Sequence, residues 1–365
     1  MINLKEYMQK VVNLGGTDLH LKVGSRPLIR ITGDLEPQEG DIVTQQDLER
    51  ILKETAREDL YNQFLQDWEL DYALSLSDEF RFRINVYKDR GNLGMALRLL
   101  RNDILSFEGL MLPPVLKKLC DERRGMILVT GITGSGKTTT LATMLNYINE
   151  RRKCHIVTIE DPIEFIQKNK KGIVTQREVG TDSKSFLDAL KHALRQDPDV
   201  ILIGEMRDAT TIRTAISAAE TGHLVLSTLH TVQAPPTVER ILSFFDGPEQ
   251  SIVRTQIALN LRGVISQRLM PSKDRSRIVP VVEILIITTT ARKLILEGRI
   301  NELKQVIQNR EDGMQTFDQA LEDLVRGGLV SMDEAMANSD SPLTLRRNIM
   351  GGVSGGDRST IIGGF

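Results

Sequence analysis

Gly131-Ile132-Thr133-Gly134-Ser135-Gly136-Lys137-Thr138 fits the phosphate-cradling pattern G-x-x-x-x-G-K-[ST] with no position missing. The flanks have the character the pattern needs. Residues 126–130 are a short apolar run of β type, and after the loop Leu141, Met144, Leu145 and Ile148 fall on one face of a helix. The order is strand, loop, helix. Glycines let the backbone curl so that successive N–H groups point inward, and the start of the helix adds partial positive charge. Gly131, Thr133, Gly134, Ser135, Gly136, Lys137, Thr138 and Thr139 are therefore the candidate contacts of a nucleoside triphosphate, ATP in the first place. In that reading Lys137 reaches the β- and γ-phosphates and the Thr138 hydroxyl holds Mg²⁺.

A chain of 365 residues has room for two or three domains, each with its own core. Lys and Arg number 47 against 49 Asp and Glu, so no global field draws the chain to nucleic acid or to anionic lipid, and nucleic acid is not an expected partner. The longest apolar runs fall short of a membrane span; the one at 279–287 is broken by Pro280 and Glu283. Residues 1–10 are charged and amphipathic, unlike a secretory leader, which predicts a cytoplasmic location. Cys120 and Cys154 form no C-x-x-C pair, and none of the five histidines stands at i, i+4 to another, so no zinc site is expected.

Residues 1–101 read as a small α+β domain. A helix over 4–14 ends at Gly15-Gly16, strands follow at 18–21 and 27–32, with Gly33-Asp34 as the turn beyond. A helix over 47–65 then leads into strands at 70–76, 80–87 and 94–100. Residues 102–114, with Gly109 and two prolines, suit a linker. Over 115–350 the rhythm changes. Strands at 126–130, 155–159, 200–204 and 224–229 alternate with helices near 138–150, 183–195 and 209–220, which predicts a mostly parallel sheet. In the helix over 183–195, Phe186, Leu187, Ala189, Leu190, Ala193 and Leu194 form one stripe, and Asp182 or Ser183 is placed to cap it. Past Ser251 the chain reads as mainly helical, with a strand pair near 264–269 and 278–284. The glycine-rich stretch 351–365 is predicted to be disordered.

A phosphate loop needs a carboxylate at a neighbouring strand end to position Mg²⁺ through water. Glu205, after the apolar run 200–204, is that candidate. Glu160 and Asp161 close the preceding strand, and Glu164 follows the rigid Pro162. In a parallel sheet these strand ends open on one edge, where ligands sit. One acid there can orient an attacking water as general base; Glu164 is the first choice, with Glu160 and Asp161 as alternatives. His230, past the run 224–229, reads equally as a γ-phosphate reporter or as a packed histidine. His223 lies at the far edge. Along 80–87, Phe80, Phe82, Ile84 and Val86 alternate with Arg81, Arg83, Asn85 and Tyr87, so the arginines share a face, and Arg98 sits on the next strand. That face is either simply solvated or a source of charge for a nucleotide on a neighbouring subunit. Arg195 is a further candidate, although its position at a helix end also complements the helix dipole.

Taken together, these boxes resemble the secretion and type IV pilus ATPases. The loop at 131–138, the acidic box from Thr158 to Glu164, Gly204-Glu205-Met206-Arg207-Asp208 and Thr228-Leu229-His230-Thr231 all match. So do Gly16-Thr17-Asp18-Leu19-His20-Leu21 and Ile29-Arg30-Ile31-Thr32-Gly33-Asp34, and the resemblance spans almost the whole chain. It implies a PAS-like N-terminal domain, a RecA-like ATPase domain with a helical C-terminal part, and a homohexamer with ATP between subunits. It also implies that Arg83 and Arg98 approach the nucleotide across a subunit boundary. The chain carries no four-cysteine site like that of the extension ATPases, which turns the resemblance toward the pilus-retraction branch. Twitching motility would be the output. An inner-membrane platform protein and a related accessory ATPase would be the partners, at the membrane face of the pilus base. Two departures stand out. Where that branch shows A-I-R-N-L-I-R-E, Thr290-Ala291-Arg292-Lys293-Leu294-Ile295-Leu296-Glu297 agrees only at Arg292, Leu294, Ile295 and Glu297, and Ile132 replaces a usual proline. An accessory or extension-type ATPase with weak activity is the alternative, and a nucleic-acid motor a more distant one.

Overall fold

Burial at every second residue builds the sheet of the N-terminal part: Phe82, Ile84 and Val86 are closed off from solvent, while Arg81, Arg83 and Asn85 face the other way. The computed structural model describes residues 1–77, 79–100 and 104–351; apart from Gly351, the tail predicted to be disordered lies outside the described residues. The chain divides into two units, one of Met1–Asp103 with Pro162–Ile166, the other of Ile104–Asp161 with Gln167–Phe365.

The first unit runs α1 (Leu4–Asn13), β1 (Asp18–Lys22), β2 (Leu28–Ile31), β3 (Asp34–Pro37), α2 (Gln45–Thr55), α3 (Glu58–Asp67), β4 (Glu69–Ser75), β5 (Arg81–Asp89) and β6 (Asn92–Leu100). Its six strands lie in the order β3-β2-β1-β6-β5-β4 and pair antiparallel throughout. The helix predicted over 47–65 is two helices, because Ala56 and Arg57 both take extended backbone. Thr44 and Asp47 form a capping box at the start of α2, which draws that start forward. The turn expected at Gly33-Asp34 is centred on Thr32-Gly33, and the unpredicted β3 follows it; its side chains are all exposed, so no alternation marks it.

The second unit contains α4 (Val115–Cys120), β7 (Gly125–Thr130), α5 (Lys137–Arg151), β8 (His155–Glu160), β9 (Ile173–Glu178), α6 (Phe186–Ala193), β10 (Val200–Ile203), α7 (Ala209–Glu220), β11 (Leu224–Leu229), α8 (Ala234–Leu242) and α9 (Gly247–Asn260). β12 (Leu261–Pro271), β13 (Ile278–Ile286), α10 (Thr289–Leu296), α11 (Leu303–Gln308), α12 (Phe317–Arg326), α13 (Met332–Asn338) and α14 (Pro342–Gly351) follow. The sheet order is β13-β12-β7-β11-β10-β8-β9, with every pairing parallel except β12 with β13. Every residue of β7, β10 and β11 is buried, as helices on both faces of a parallel sheet require. The stretch before α4 adds to this core: Phe107 and Leu112 are buried, and the Phe107 ring meets Tyr147 edge-on at 5.4 Å. α6 starts later than predicted and is capped by Ser185, whose hydroxyl accepts from the Asp188 N–H. Asp182 is occupied elsewhere, accepting from the Glu178 N–H.

Candidate active site

β7 ends at the buried Thr130 and α5 begins at Lys137, so six residues must turn the chain between them. Gly131, Gly134 and Gly136 do so at φ values of +143°, +79° and +86°. Space excludes other residues at two of them. A Cβ on Gly131 would lie 2.4 Å from Ser135 Oγ and 2.5 Å from the Gln267 carbonyl oxygen, and one on Gly136 would lie 2.7 Å from Gln267 Nε2. The Lys137 ammonium folds back to donate to the carbonyl oxygens of Gly131 and Ile132, each at 2.9 Å. Thr133 and Gly134 are exposed at the loop tip, while Thr138 and Thr139 are half-buried in the first turn of α5.

These residues fit a triphosphate. Ser135 Oγ is buried and has no hydrogen-bond partner, and no side chain caps the first turn of α5, so a hydroxyl lacks an acceptor beside the start of a long helix, where an anion is favoured. The loop opens on a cavity of about 180 Å³ whose far wall is Val232, Gln267, Arg268, Leu269 and Asn338.

Glu205 stands just past β10, and its carboxylate is held from two sides. Oε2 accepts from Arg207 Nη2 at 2.8 Å and Oε1 from His230 Nε2 at 3.2 Å. Burial works against its charge, but the Arg207 hydrogen bond and charge, helped by His230, outweigh burial and keep the carboxyl below its ordinary value. The ends of β10 and β11 are stitched together by Ser227 Oγ donating to Ile203 O at 2.7 Å and Thr228 Oγ1 to Gly204 O at 2.6 Å. Only β11 separates β10 from β7, so Glu205 lies about two strand spacings, roughly 10 Å, along the sheet edge from the loop. That separation suits contact with a phosphate-bound cation through water. Among the described residues no cluster of three His, Cys, Asp or Glu could hold a metal alone, so Mg²⁺ would need phosphate oxygens as well.

Other predicted residues fall in different settings. Glu160 is buried at the end of β8 and accepts from Thr158 Oγ1 at 2.6 Å and Gln176 Nε2 at 3.1 Å, an environment that fixes it in place. Asp161 is exposed, and Glu164 is half-buried in the segment grouped with the first unit. His223 is structural: its Nδ1 donates to Ala218 O at 2.8 Å. Arg195 falls in another setting again. It lies between α6 and β10, at the amino edge of the sheet, and so on the opposite edge from the phosphate loop of its own chain.

In the first unit, Arg83 on β5 and Arg98 on β6 are directly opposed, and Asp18 on β1 is the next partner along the row. Arg98 Nε donates to Asp18 Oδ1 at 2.8 Å and Arg83 Nε to Asp71 Oδ1 at 3.4 Å, yet the Arg98 side chain remains 71% exposed. Burial disfavours the Asp18 charge, but hydrogen bonds from Arg98 and Thr17 hold its carboxyl below the ordinary value. No sequence motif assigns a role to Arg207, Gln267 or Arg268. The available signal is modest: a glutamine and an arginine in a strand that is apolar at most other positions, and an arginine two residues from the acid.

The fold and site define a P-loop nucleotide-binding domain of the parallel-sheet class, joined to an antiparallel-sheet domain and ending in helices. A family model described as Type II/IV secretion system protein matches residues 2–277, and the chain belongs to that family. It is 42% identical to a twitching motility protein of Neisseria gonorrhoeae, over 85% of this chain and 83% of that one. With the type IV pilus retraction ATPase PilT of Pseudomonas aeruginosa it shares 39% identity over 93% of this chain and 99% of the other. A crystal structure of the pilus retraction motor PilT with bound ADP superposes with a TM-score of 0.88 at 41% identity, covering 95% of this chain and all of that one. Among the described residues no helix is long and apolar enough to cross a membrane.

Proposed function

We propose that this chain is an ATP-hydrolysing motor of type IV pilus retraction, the engine of twitching motility. The observation that carries the reading is the phosphate loop, with its orphaned Ser135 hydroxyl and folded-back Lys137, on the same sheet edge as the Glu205–His230 pair. Kinship with PilT supplies the output. Lys137 and the loop N–H groups bind the phosphates, and Lys137 offsets charge as the terminal phosphoryl leaves. Thr138 and, through water, Glu205 would hold Mg²⁺, which would supply positive charge to the phosphate oxygens. Glu164 aligns the attacking water. His230 shares its proton with Glu205, so a shift of that carboxylate changes what His230 holds, and the segment leading into α8 receives the change. Arg83 and Arg98 of a neighbouring subunit add the remaining charge in a homohexamer. The motor works in the cytoplasm against an inner-membrane platform protein at the pilus base, alongside a related accessory ATPase.

Native mass together with MgATP turnover tests the reading. Glu205→Ala and Glu164→Gln should each lower turnover about a hundredfold or more while ATP still binds. Near-normal hydrolysis by both variants would overturn the assignment, and stimulation by nucleic acid would point to a different motor.

A further inference from the structure

β7 stops where the phosphate loop begins, but its neighbour β12 does not. Ser266 is the residue paired with Thr130, their hydroxyls 2.8 Å apart, and β12 continues to Pro271 alongside the loop. Gln267 is the first residue of that continuation. It is 4% exposed and meets the nucleotide-binding element at three places. Its Oε1 accepts from Thr140 Oγ1 at 2.7 Å, in the first turn of α5. Its carbonyl oxygen and its Nε2 stand 2.5 Å and 2.7 Å from where side chains on Gly131 and Gly136 would begin. The acceptor end of the amide is satisfied. Its donor end lies on the cavity wall, with no protein partner among the described residues.

A buried amide in a strand is costly unless both of its ends are used. If Gln267 served only to cap Thr140, a carboxylate would do as well. We propose that Gln267 is a further phosphate-binding residue of this site: Oε1 fixes the start of α5 through Thr140, while Nε2 donates to an oxygen of the bound nucleotide's phosphates. The same residue hands that contact on. Arg268, next in the strand, donates to Asn338 O at 2.7 Å and Asp340 Oδ1 at 2.9 Å, and its guanidinium lies 3.8 Å from the centre of the Phe317 ring. β12 thereby joins the phosphate loop on one side to the helices α12–α14 on the other.

The inference rests on the ATPase reading, and two substitutions separate its failure from that of the reading. Gln267→Met removes donor and acceptor at similar volume. Gln267→Glu keeps an acceptor for Thr140 but replaces the donor with negative charge. Binding of fluorescent ADP and ATP in Mg²⁺ buffer, and thermal unfolding without nucleotide, are measured on the full chain. Gln267→Met should bind both nucleotides roughly ten- to hundredfold more weakly, the worth of a hydrogen bond to a charged group. Gln267→Glu should recover the unfolding midpoint lost in Gln267→Met yet bind nucleotide no better than it. Wild-type affinity in either variant overturns the proposal. Failure of the unsubstituted chain to bind MgATP at all would instead overturn the ATPase reading.

Discussion

At Glu205 three residues decide one charge. Burial opposes the carboxylate, and Arg207, only two positions along the chain, tips the balance toward ionisation. In Arg207→Ala the opposing burial is no longer outweighed, so the carboxyl should titrate at higher pH. Since only the ionised acid can hold a cation, the acid limb of the kcat/KM profile should move to higher pH. A limb that stays in place would mean Glu205 does not report through catalysis. The loop makes a second prediction at this scale. Gly136→Ala meets both a positive φ of +86° and the Gln267 amide at 2.7 Å, so it should cost about 1–2 kcal/mol of stability and abolish tight nucleotide binding. Calorimetry and ADP titration check the two parts. The glycines, Lys137 and Thr138 were legible in the sequence because the loop's requirements are local. The grip on Glu205 was not, because His230 reaches it from the neighbouring strand. Gln267 was hidden for the same reason: only the β7–β12 register brings it beside Gly131.

Among the elements, the β12–β13 pair carries the unexpected chemistry. Glu283 on β13 stands opposite Ser266, is 3% exposed and accepts from the Ala234 N–H, where α8 begins, at 2.8 Å. Burial pushes its carboxyl up to about 7. Asp340 adds to the shift, while the Ala234 hydrogen bond, Arg268 and Lys304 oppose it. Between its unfolded and folded values the native state binds the extra proton, so this group's effect is neutral below the unfolded pKa. Stability is then lost as pH rises through about 7, by an amount on the order of 3 kcal/mol. Glu283→Gln keeps an acceptor for Ala234 without the titration, and should flatten the fall in unfolding midpoint between mildly acidic and mildly alkaline buffer. An unchanged slope would place the titration elsewhere. This acid was visible as an interruption of an apolar run, but its partner was not, since α8 precedes the strand by more than a turn of the fold. The same distinction governs the fold itself. Central strands such as β7, β10 and β11 are buried throughout and mostly apolar, and could be read from composition. β3 and β9 lie at sheet edges, with side chains exposed or half-buried at every position but Glu178, and carry no such mark. The long helix was divided at Ala56-Arg57 by backbone choice at two residues with no breaker in the sequence.

For the whole molecule, the decisive question is what completes the phosphate site. The loop supplies one lysine and a set of N–H groups, while a triphosphate in hydrolysis develops charge that usually needs another cation. Arg83 and Arg98 form a row on one sheet face of the first unit. Arg83 is 45% exposed at its side chain and Arg98 71%, each leaning on an aspartate that a stronger anion can replace. A ring in which each subunit lends these arginines to the next accounts for such surface guanidinium groups. It also makes a prediction that a self-contained site does not. Arg83→Ala subunits and Glu164→Gln subunits should each be nearly inactive as pure assemblies. Mixed in equal amounts and allowed to reassemble, they place an intact loop-and-acid half beside an intact arginine in about a quarter of the interfaces. Turnover should return to a comparable fraction of the unsubstituted rate and follow the product of the two mole fractions as the ratio varies. Recovery that never appears at any ratio would mean that Arg83 serves its own chain or none.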